Sequence, residues 1–502
     1  MRIGGKNIIL LLYSFPKFTS SMRRFFAKNL LFVMCVNLLV KPLWVFMIDR
    51  TVQNNVGHAS YGIYQALLNL GLVFQILLDF GINNYNSRSL AQNPKRIRLL
   101  FPPMLSARLA LSVFYLIIVC AIGLIIGYRG WQIMMLFGVL MIQTLNSLMQ
   151  FIRSNVAGLH RFKADGILSV TDRFLMIIIC GFLLVYPPTK SHFRIEWFVA
   201  AQIFCYAIAI VTGLVVLKRI SNVRLHFTLD IKRVRRIIRD SFPYALLIFL
   251  MSVYTRSDTM LIERLAGSNG SEQAGIYAAA YRLLDVGNMF GLMFATMLLP
   301  VFGRLLAQKE TVQPIVQLCV NLLLPASILV TVTAVYFRVE IMNLLYRETT
   351  AESITVFAWL MIAFPAFSLS NVYSTLLTAN GDLKLLNKIA LAGVIINLSL
   401  NFFLIPRYYA LGAAFAACIT QSFLAVCFLV FAQRQTQLER NRKWMLSFIF
   451  YLLLILGFGY AVRTLPFSWL LQLLMLGALG VSSIFLFRFV SFKSIKQLLE
   501  RR

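Results

Sequence analysis

Four ionisable residues fall close together where charge is expensive. Arg256, Asp258, Arg282 and Asp285 lie in the stretch from Tyr254 to Pro300, inside two apolar segments that are each long enough to cross a bilayer. A charge at that depth must be paired or wetted to be tolerated. With a helical rise of about 1.5 Å per residue, Lys41, Arg256 and Arg282 each fall roughly 11–12 Å below the outer boundary of their segments. Three cations in one layer repel one another unless an anion, a carboxylate or water lies between them. Arginine's planar fork suits a phosphate, so the layer reads as an anion site. With Asp258 and Asp285 as counter-charges, the alternative is a set of buried ion pairs that hold helices together.

Other polar groups in apolar segments carry less information. Asp79, in the sequence LLDFG near the inner end of a segment, is too short to reach far toward headgroups, and reads as a proton or cation site or as an ion-pair partner. Arg108, Asp172 and Arg173 lie near inner ends and are expected to be anchors or rim charges with their long side chains snorkelling. Asn37, Gln65, Asn69 and Gln75 offer hydrogen bonds either to sugar hydroxyls or to neighbouring helices. The four histidines, His58, His160, His192 and His226, are far apart and lie in loops or at segment edges. No Cys/His or Ser/His cluster and no metal-ligand spacing is present, which argues against an enzyme and implies no metal or cofactor. All seven cysteines sit singly in apolar segments and read as small core hydrophobes.

These residues need a membrane scaffold to hold them. The chain has 502 residues, 59% of them hydrophobic and 13% charged, so it reads as an all-α polytopic membrane protein. Hydropathy predicts about fourteen spans, the first six at roughly 29–48, 60–83, 103–127, 132–152, 166–186 and 195–216. Six more follow at roughly 241–264, 274–302, 313–337, 355–377, 386–406 and 409–433, and a last pair at roughly 445–463 and 466–488. Residues 1–28, with an apolar core too short for a signal peptide, read as a cytosolic or interfacial lead-in. The net charge of +30 invites a nucleic-acid partner, but its location argues against one. Roughly 34 of the 48 basic residues fall on the side shared by the two termini, and that bias predicts both termini in the cytoplasm. Residues 217–240 form a basic cytoplasmic linker between an N-terminal lobe (29–216) and a C-terminal lobe (241–433), with residues 434–502 contributing the last pair and a tail.

An internal repeat fits two pseudo-symmetric six-helix lobes. Tyr61-Gly62-Ile63-Tyr64 matches Ala274-Gly275-Ile276-Tyr277, and Leu90-Ala91-Gln92 matches Leu306-Ala307-Gln308, at offsets of 213 and 216 residues. An even number of spans per lobe makes these parallel repeats about an axis along the membrane normal. Pro42, Pro243, Pro300, Pro325 and Pro365 lie in or at the ends of spans, where each favours a kink. Pro42, next to Lys41, predicts a bend at the charged layer.

The segment SDTMLIERLAGSNGSEQAGIYAAAYRLLDVGNMFGLMFATMLLPVFGRL resembles the hallmark of the polysaccharide-export (O-antigen, oligosaccharidyl-lipid) branch of the multidrug/oligosaccharidyl-lipid/polysaccharide flippases. NNVGHASYGIYQALLNLGLVFQILLDFG and YYALGAAFAACIT extend the resemblance to both lobes. The resemblance implies two six-helix bundles around a cavity lined by the first, second, seventh and eighth spans. It implies carriage of an undecaprenyl-diphosphate-linked glycan from the inner to the outer leaflet by alternating access, for cell-surface polysaccharide or lipopolysaccharide synthesis. On that pattern Lys41, Arg256 and Arg282 match cavity cations, and Asp79, Asp258 and Asp285 match cavity carboxylates. A monomer in the bacterial inner membrane, surrounded by lipid and working with polysaccharide polymerase machinery, is the implied setting. The competing readings are a membrane-embedded polymerase or ligase, disfavoured by the lack of a large outer loop, and a multidrug exporter of the same fold, disfavoured by the surplus cations.

Overall fold

The computed structural model describes residues 40, 42–83, 86, 90, 96–159, 161–190, 192–221, 231–439, 442–487 and 489. The described chain is helical and without strands, as a lipid-embedded backbone must be to satisfy its own N–H and C=O groups. The protein is a multi-pass membrane protein. Eleven described segments are long and apolar enough to span a bilayer. One of them, Leu383–Gln435, bends sharply at Tyr409 (φ +49°) just after Pro406, and so contains both spans expected between 386 and 433. Of the fourteen expected spans, the first lies mostly outside the described residues and the second corresponds to the less apolar, kinked helix over Arg50–Val73.

By internal packing the chain forms two compact units, one within Phe15–Gly275 and one within Ile276–Arg502. The first unit contains α1 (Arg50–Val73), α2 (Ile97–Ile126), α3 (Trp131–Gly158), α4 (Phe162–Val185), α5 (Ile195–Ser221), α6 (Ile231–Leu265) and the start of α7 (Gly270–Ala307). Helix α3 is central, packing on α1, α2, α4 and α5, while α6 lies along α1. Phe101 stacks on Phe151 at 5.4 Å, and with Met104, Ile152, Val156 and Leu217 they form a fully buried core.

The course of α1 is set by a break at each end, a kink at Gly57 (φ +77°) and a crossing. A six-residue π-helix over Trp44–Asp49 precedes it, directly after Pro42, in place of a simple proline kink. At its other end the helix stops at Val73 and not at 83. A 3-10 turn over Gln75–Leu78 follows, and then Phe80 (φ +42°) and Gly81 (φ +84°) turn the chain through the left-handed region. Between the breaks, α1 crosses the start of α7 backbone to backbone. A Cβ on Gly62 would lie 1.9 Å from the Ser271 carbonyl oxygen, and one on Gly275 would lie 2.1 Å from the His58 carbonyl oxygen. The two glycines are the equivalent positions of the sequence repeat, and only residues without a side chain let the backbones approach so closely. Gln53 Nε2 fastens the crossing by donating to the Gly275 carbonyl at 3.0 Å.

The second unit holds the rest of α7 with α8 (Gln313–Tyr336), α9 (Arg338–Leu345), α10 (Ala351–Ile362), α11 (Phe364–Asn380), α12 (Leu383–Gln435), α13 (Arg442–Arg463) and α14 (Trp469–Leu486). The expected tenth span is broken into α10 and α11 at Ala363, where Pro365 opens the new helix. Helix α11 packs on α8 and α12, and Asn371 donates to Asn288 of α7 at 2.8 Å. The C-terminal pair α13 and α14 lies on α8: Tyr336 donates to the Leu456 carbonyl at 3.0 Å and Trp444 donates to Asn321 at 2.7 Å.

Candidate functional site: a charge-paired cavity in the first unit

Two helices of the first unit carry polar residues at helical spacing on one face. On α3 these are Asn146, Gln150, Arg153 and Ser154, with Met149 and Ala157 on the same stripe; on α4 they are Asp165, Ser169, Asp172 and Arg173, with Leu168. Offsets of three, four, seven and eight residues put each set on one side of its helix. Asp79 and Asn83 join them from the turn after α1. The described residues named here line a cavity of about 590 Å³, inside the roughly 300–1,000 Å³ range of small-ligand sites. Because successive helices run in opposite directions, the end of α1, the second half of α3 and the first half of α4 all lie toward one end of the unit.

Every charge on this wall has a partner. Arg153 Nε donates to Asp165 Oδ1 at 2.8 Å, and Arg173 Nε lies 3.5 Å from the Asp172 carboxylate. Arg173 also covers the Trp44 ring, 5.2 Å from its centroid, and contacts the Tyr206 hydroxyl at 3.5 Å. The third pair is deeper. Arg108 of α2, only 2% exposed, reaches Asp79 with one terminal nitrogen and with the other the carbonyl (3.1 Å) and hydroxyl of Ser147 on α3. Its guanidinium lies 5.4 Å from the Phe151 ring centroid. Asp79 in turn accepts the Asn83 backbone N–H at 3.1 Å and so caps the turn that ends α1. One carboxylate thus joins α1, α2 and α3 while facing the cavity. Near the same wall the side-chain oxygens of Asn83, Asn86 and Asn155 are buried without a hydrogen-bond partner.

The sequence expectations distribute unevenly over this geometry. Asp79 lines the cavity, and of the two roles open to it the described structure has it as an ion-pair partner. Lys41 and Asn37 lie outside the described residues. Arg256 and Asp258 are on α6 of the first unit, where Asp258 is 1% exposed; Arg282 and Asp285 are on α7 within the second unit. All four carry a polar or electrostatic contact. Gln65 and Asn69 are buried, and Asn69 donates across helices to Thr259 at 3.0 Å; Gln75 opens the 3-10 turn. The expectation that Arg108, Asp172 and Arg173 snorkel to the rim is corrected. Arg108 turns inward because Asp79 and Ser147 satisfy it there, and Asp172 and Arg173 sit on the cavity wall. The sequence signal for this site was the polar spacing on α3 and α4.

At the opposite end of the first unit, the turn between α2 and α3 is fastened to α6. Buried Tyr128 donates to Glu263 at 3.0 Å, and Arg264, paired with Glu263 at 2.9 Å, stacks 3.7 Å from the Tyr128 ring centroid. Burial holds the Tyr128 hydroxyl above its ordinary pKa, so it remains a donor across physiological pH.

A family model described as polysaccharide biosynthesis protein matches residues 26–306, more than half of the chain. The chain belongs to that family. The MatE model also matches this polysaccharide biosynthesis protein over residues 243–403, and together the two matches put it in the polysaccharide-export branch of the multidrug/oligosaccharidyl-lipid/polysaccharide flippase superfamily. The capsular polysaccharide biosynthesis protein CapF of Staphylococcus aureus is 22% identical over 338 residues, 66% of this chain and 82% of CapF. The probable lipid II flippase MurJ of Rickettsia prowazekii is 29% identical over 143 residues, 26% of this chain and 28% of that protein. Among solved structures, a lipid II flippase MurJ in an inward closed conformation superposes with a TM-score of 0.65 at 13% identity, covering 94% of this chain and 99% of MurJ. An inward-facing multidrug resistance MATE family transporter gives 0.61 at 12% identity, covering 81% and 94%. At such identities the structural likeness is one of fold.

Proposed function

We propose that this polysaccharide biosynthesis family member is a flippase that moves an undecaprenyl-diphosphate-linked oligosaccharide from the cytoplasmic to the outer leaflet by alternating access. The observation that carries the reading is a polar, charge-lined cavity inside an otherwise lipid-adapted helical unit, in a chain of the polysaccharide-export branch. A water-filled or ligand-filled pocket is the setting in which polar side chains at membrane depth are tolerated.

In this reading the glycan occupies the cavity formed by α3, α4 and the turn after α1, and the diphosphate meets Lys41, Arg256 and Arg282. Arginine and lysine are the residue types for phosphate, and their shared depth, counted along the spans, supports the assignment. Asp258 and Asp285 serve as exchangeable counter-charges when no substrate is bound. In this reading both termini are in the cytoplasm of a bacterial inner membrane, an orientation supported by the basic bias of one set of loops, and the cavity of the first unit is at the cytoplasmic end. An interior potential of −100 mV favours outward movement of each negative charge by about 2.3 kcal/mol, which assists a diphosphate. Delivery to a polysaccharide polymerase on the outer side follows from the product's location.

Leaflet-resolved transport by the purified protein in liposomes is the test: a fluorescent polyisoprenyl-diphosphate sugar should become accessible to an impermeant quencher only with protein present. Absence of protein-dependent movement for any lipid-linked sugar, with efflux of an organic cation instead, would favour the multidrug reading that the MatE match makes the natural rival.

A further inference from the structure

We infer that the cavity of the first unit selects the uncharged part of a glycan, meaning sugar rings with hydroxyl and acetamido groups and without a carboxylate, phosphate or free amine. The inference rests on the flippase reading and adds a substrate class to it.

The charges of the wall cancel locally. Asp165 is matched by Arg153 and Asp172 by Arg173 on the wall itself, and Asp79 by Arg108, which is buried behind the wall, so each described lining charge is neutralised within a pair. A uronic acid placed there would lie against three carboxylates whose guanidiniums are already engaged, and an amino sugar would meet the reverse. A neutral sugar asks for something different. Each hydroxyl donates one hydrogen bond and accepts others, so it matches a wall on which donors and acceptors alternate. A guanidinium has five N–H donors and a carboxylate about four acceptor positions, so the Arg153–Asp165 pair, which shares one contact, still offers several of each to a ligand. Asn146 and Gln150 add amides that both donate and accept, and the Ser154 and Ser169 hydroxyls, which donate to the Phe151 and Gly166 carbonyls, add acceptor oxygens. Met149 and Leu168 supply apolar surface for the C–H face of a sugar ring.

The experiment uses the full-length protein in liposomes with two polyisoprenyl-diphosphate disaccharides differing in one ring: N-acetylglucosamine with galactose, and N-acetylglucosamine with glucuronic acid. The neutral carrier should move at least about ten-fold faster. Asp165→Asn removes the counter-charge of Arg153 and should bring the ratio toward one by accelerating the uronate carrier. Gln150→Glu, which adds a carboxylate without breaking a pair, should widen the ratio, and it serves should Asp165→Asn fail to fold. Equal rates in the wild type, or a ratio unmoved by both variants, would overturn the inference and leave the flippase reading standing. Movement of neither carrier would overturn the flippase reading and this inference with it.

Discussion

Replacing Asp79 by asparagine should destabilise the protein more than replacing its partner Arg108 by methionine, although the two substitutions remove the same ion pair. The asymmetry follows from burial. Arg108 is 2% exposed and Asp79 is 28% exposed, facing the cavity. In Asp79→Asn the amide oxygen can still accept from the guanidinium but brings no charge, and an uncompensated buried charge of this kind costs about 3–5 kcal/mol. Without Arg108, Asp79 keeps its bond from the Asn83 N–H and can be wetted from the cavity, so the loss should be about 1–3 kcal/mol. The double variant removes both charges and should return to within about 1–2 kcal/mol of the wild type, because replacing a whole buried pair is close to neutral. Equilibrium unfolding in mixed detergent micelles, run as a double-mutant cycle, measures all three values. Equal losses in the single variants, or a double variant as unstable as Asp79→Asn, would refute the claim that Asp79 matters chiefly as the counter-charge of a buried arginine.

Three further outcomes are expected. Gly275→Ala places a methyl group against the His58 carbonyl, a backbone atom that cannot swing away, and should cost about 1–3 kcal/mol as overpacking, read by the same unfolding assay. Tyr128→Phe removes the hydroxyl donor from buried Glu263 and should cost about 1–2 kcal/mol, with a gain in protease sensitivity at the turn between α2 and α3. Arg256→Ala and Arg282→Ala should each abolish transport of a lipid-linked sugar while leaving membrane insertion intact; unchanged transport by both, in a leaflet-resolved assay, would count against a phosphate site built from them.

The helical scaffold was legible because lipid imposes it: apolar runs of about twenty residues, interrupted by basic loops, leave a backbone little choice. Pro365 marked the break between α10 and α11, and Pro406 stands just before the bend at Tyr409. The end of α1 was not legible, since Gln75 to Phe80 is nearly as apolar as the helix before it. The break depends instead on Asp79 capping a turn and on Gly81 accepting a left-handed backbone. The cavity was hidden for a related reason. A row such as Asn146, Gln150, Arg153 and Ser154 has the spacing of any polar helix face, and what turns it into a wall is the matching row on α4. Arg108 shows the limit most plainly, because its direction is decided by a serine 39 residues away on α3 and an aspartate 29 residues away beyond the end of α1. The contact of Gly62 with the start of α7 was half visible: the repeat paired the two glycines by position, and coordinates were needed to bring them together.

That contact bears on how such a chain can change. A copied half-chain brings along both members of its tightest juncture, since the residue that leaves room on one helix is the same residue, in duplicate, that leaves room on the other. A side chain at either position would meet the main chain opposite, so no rotamer change at the other could relieve it.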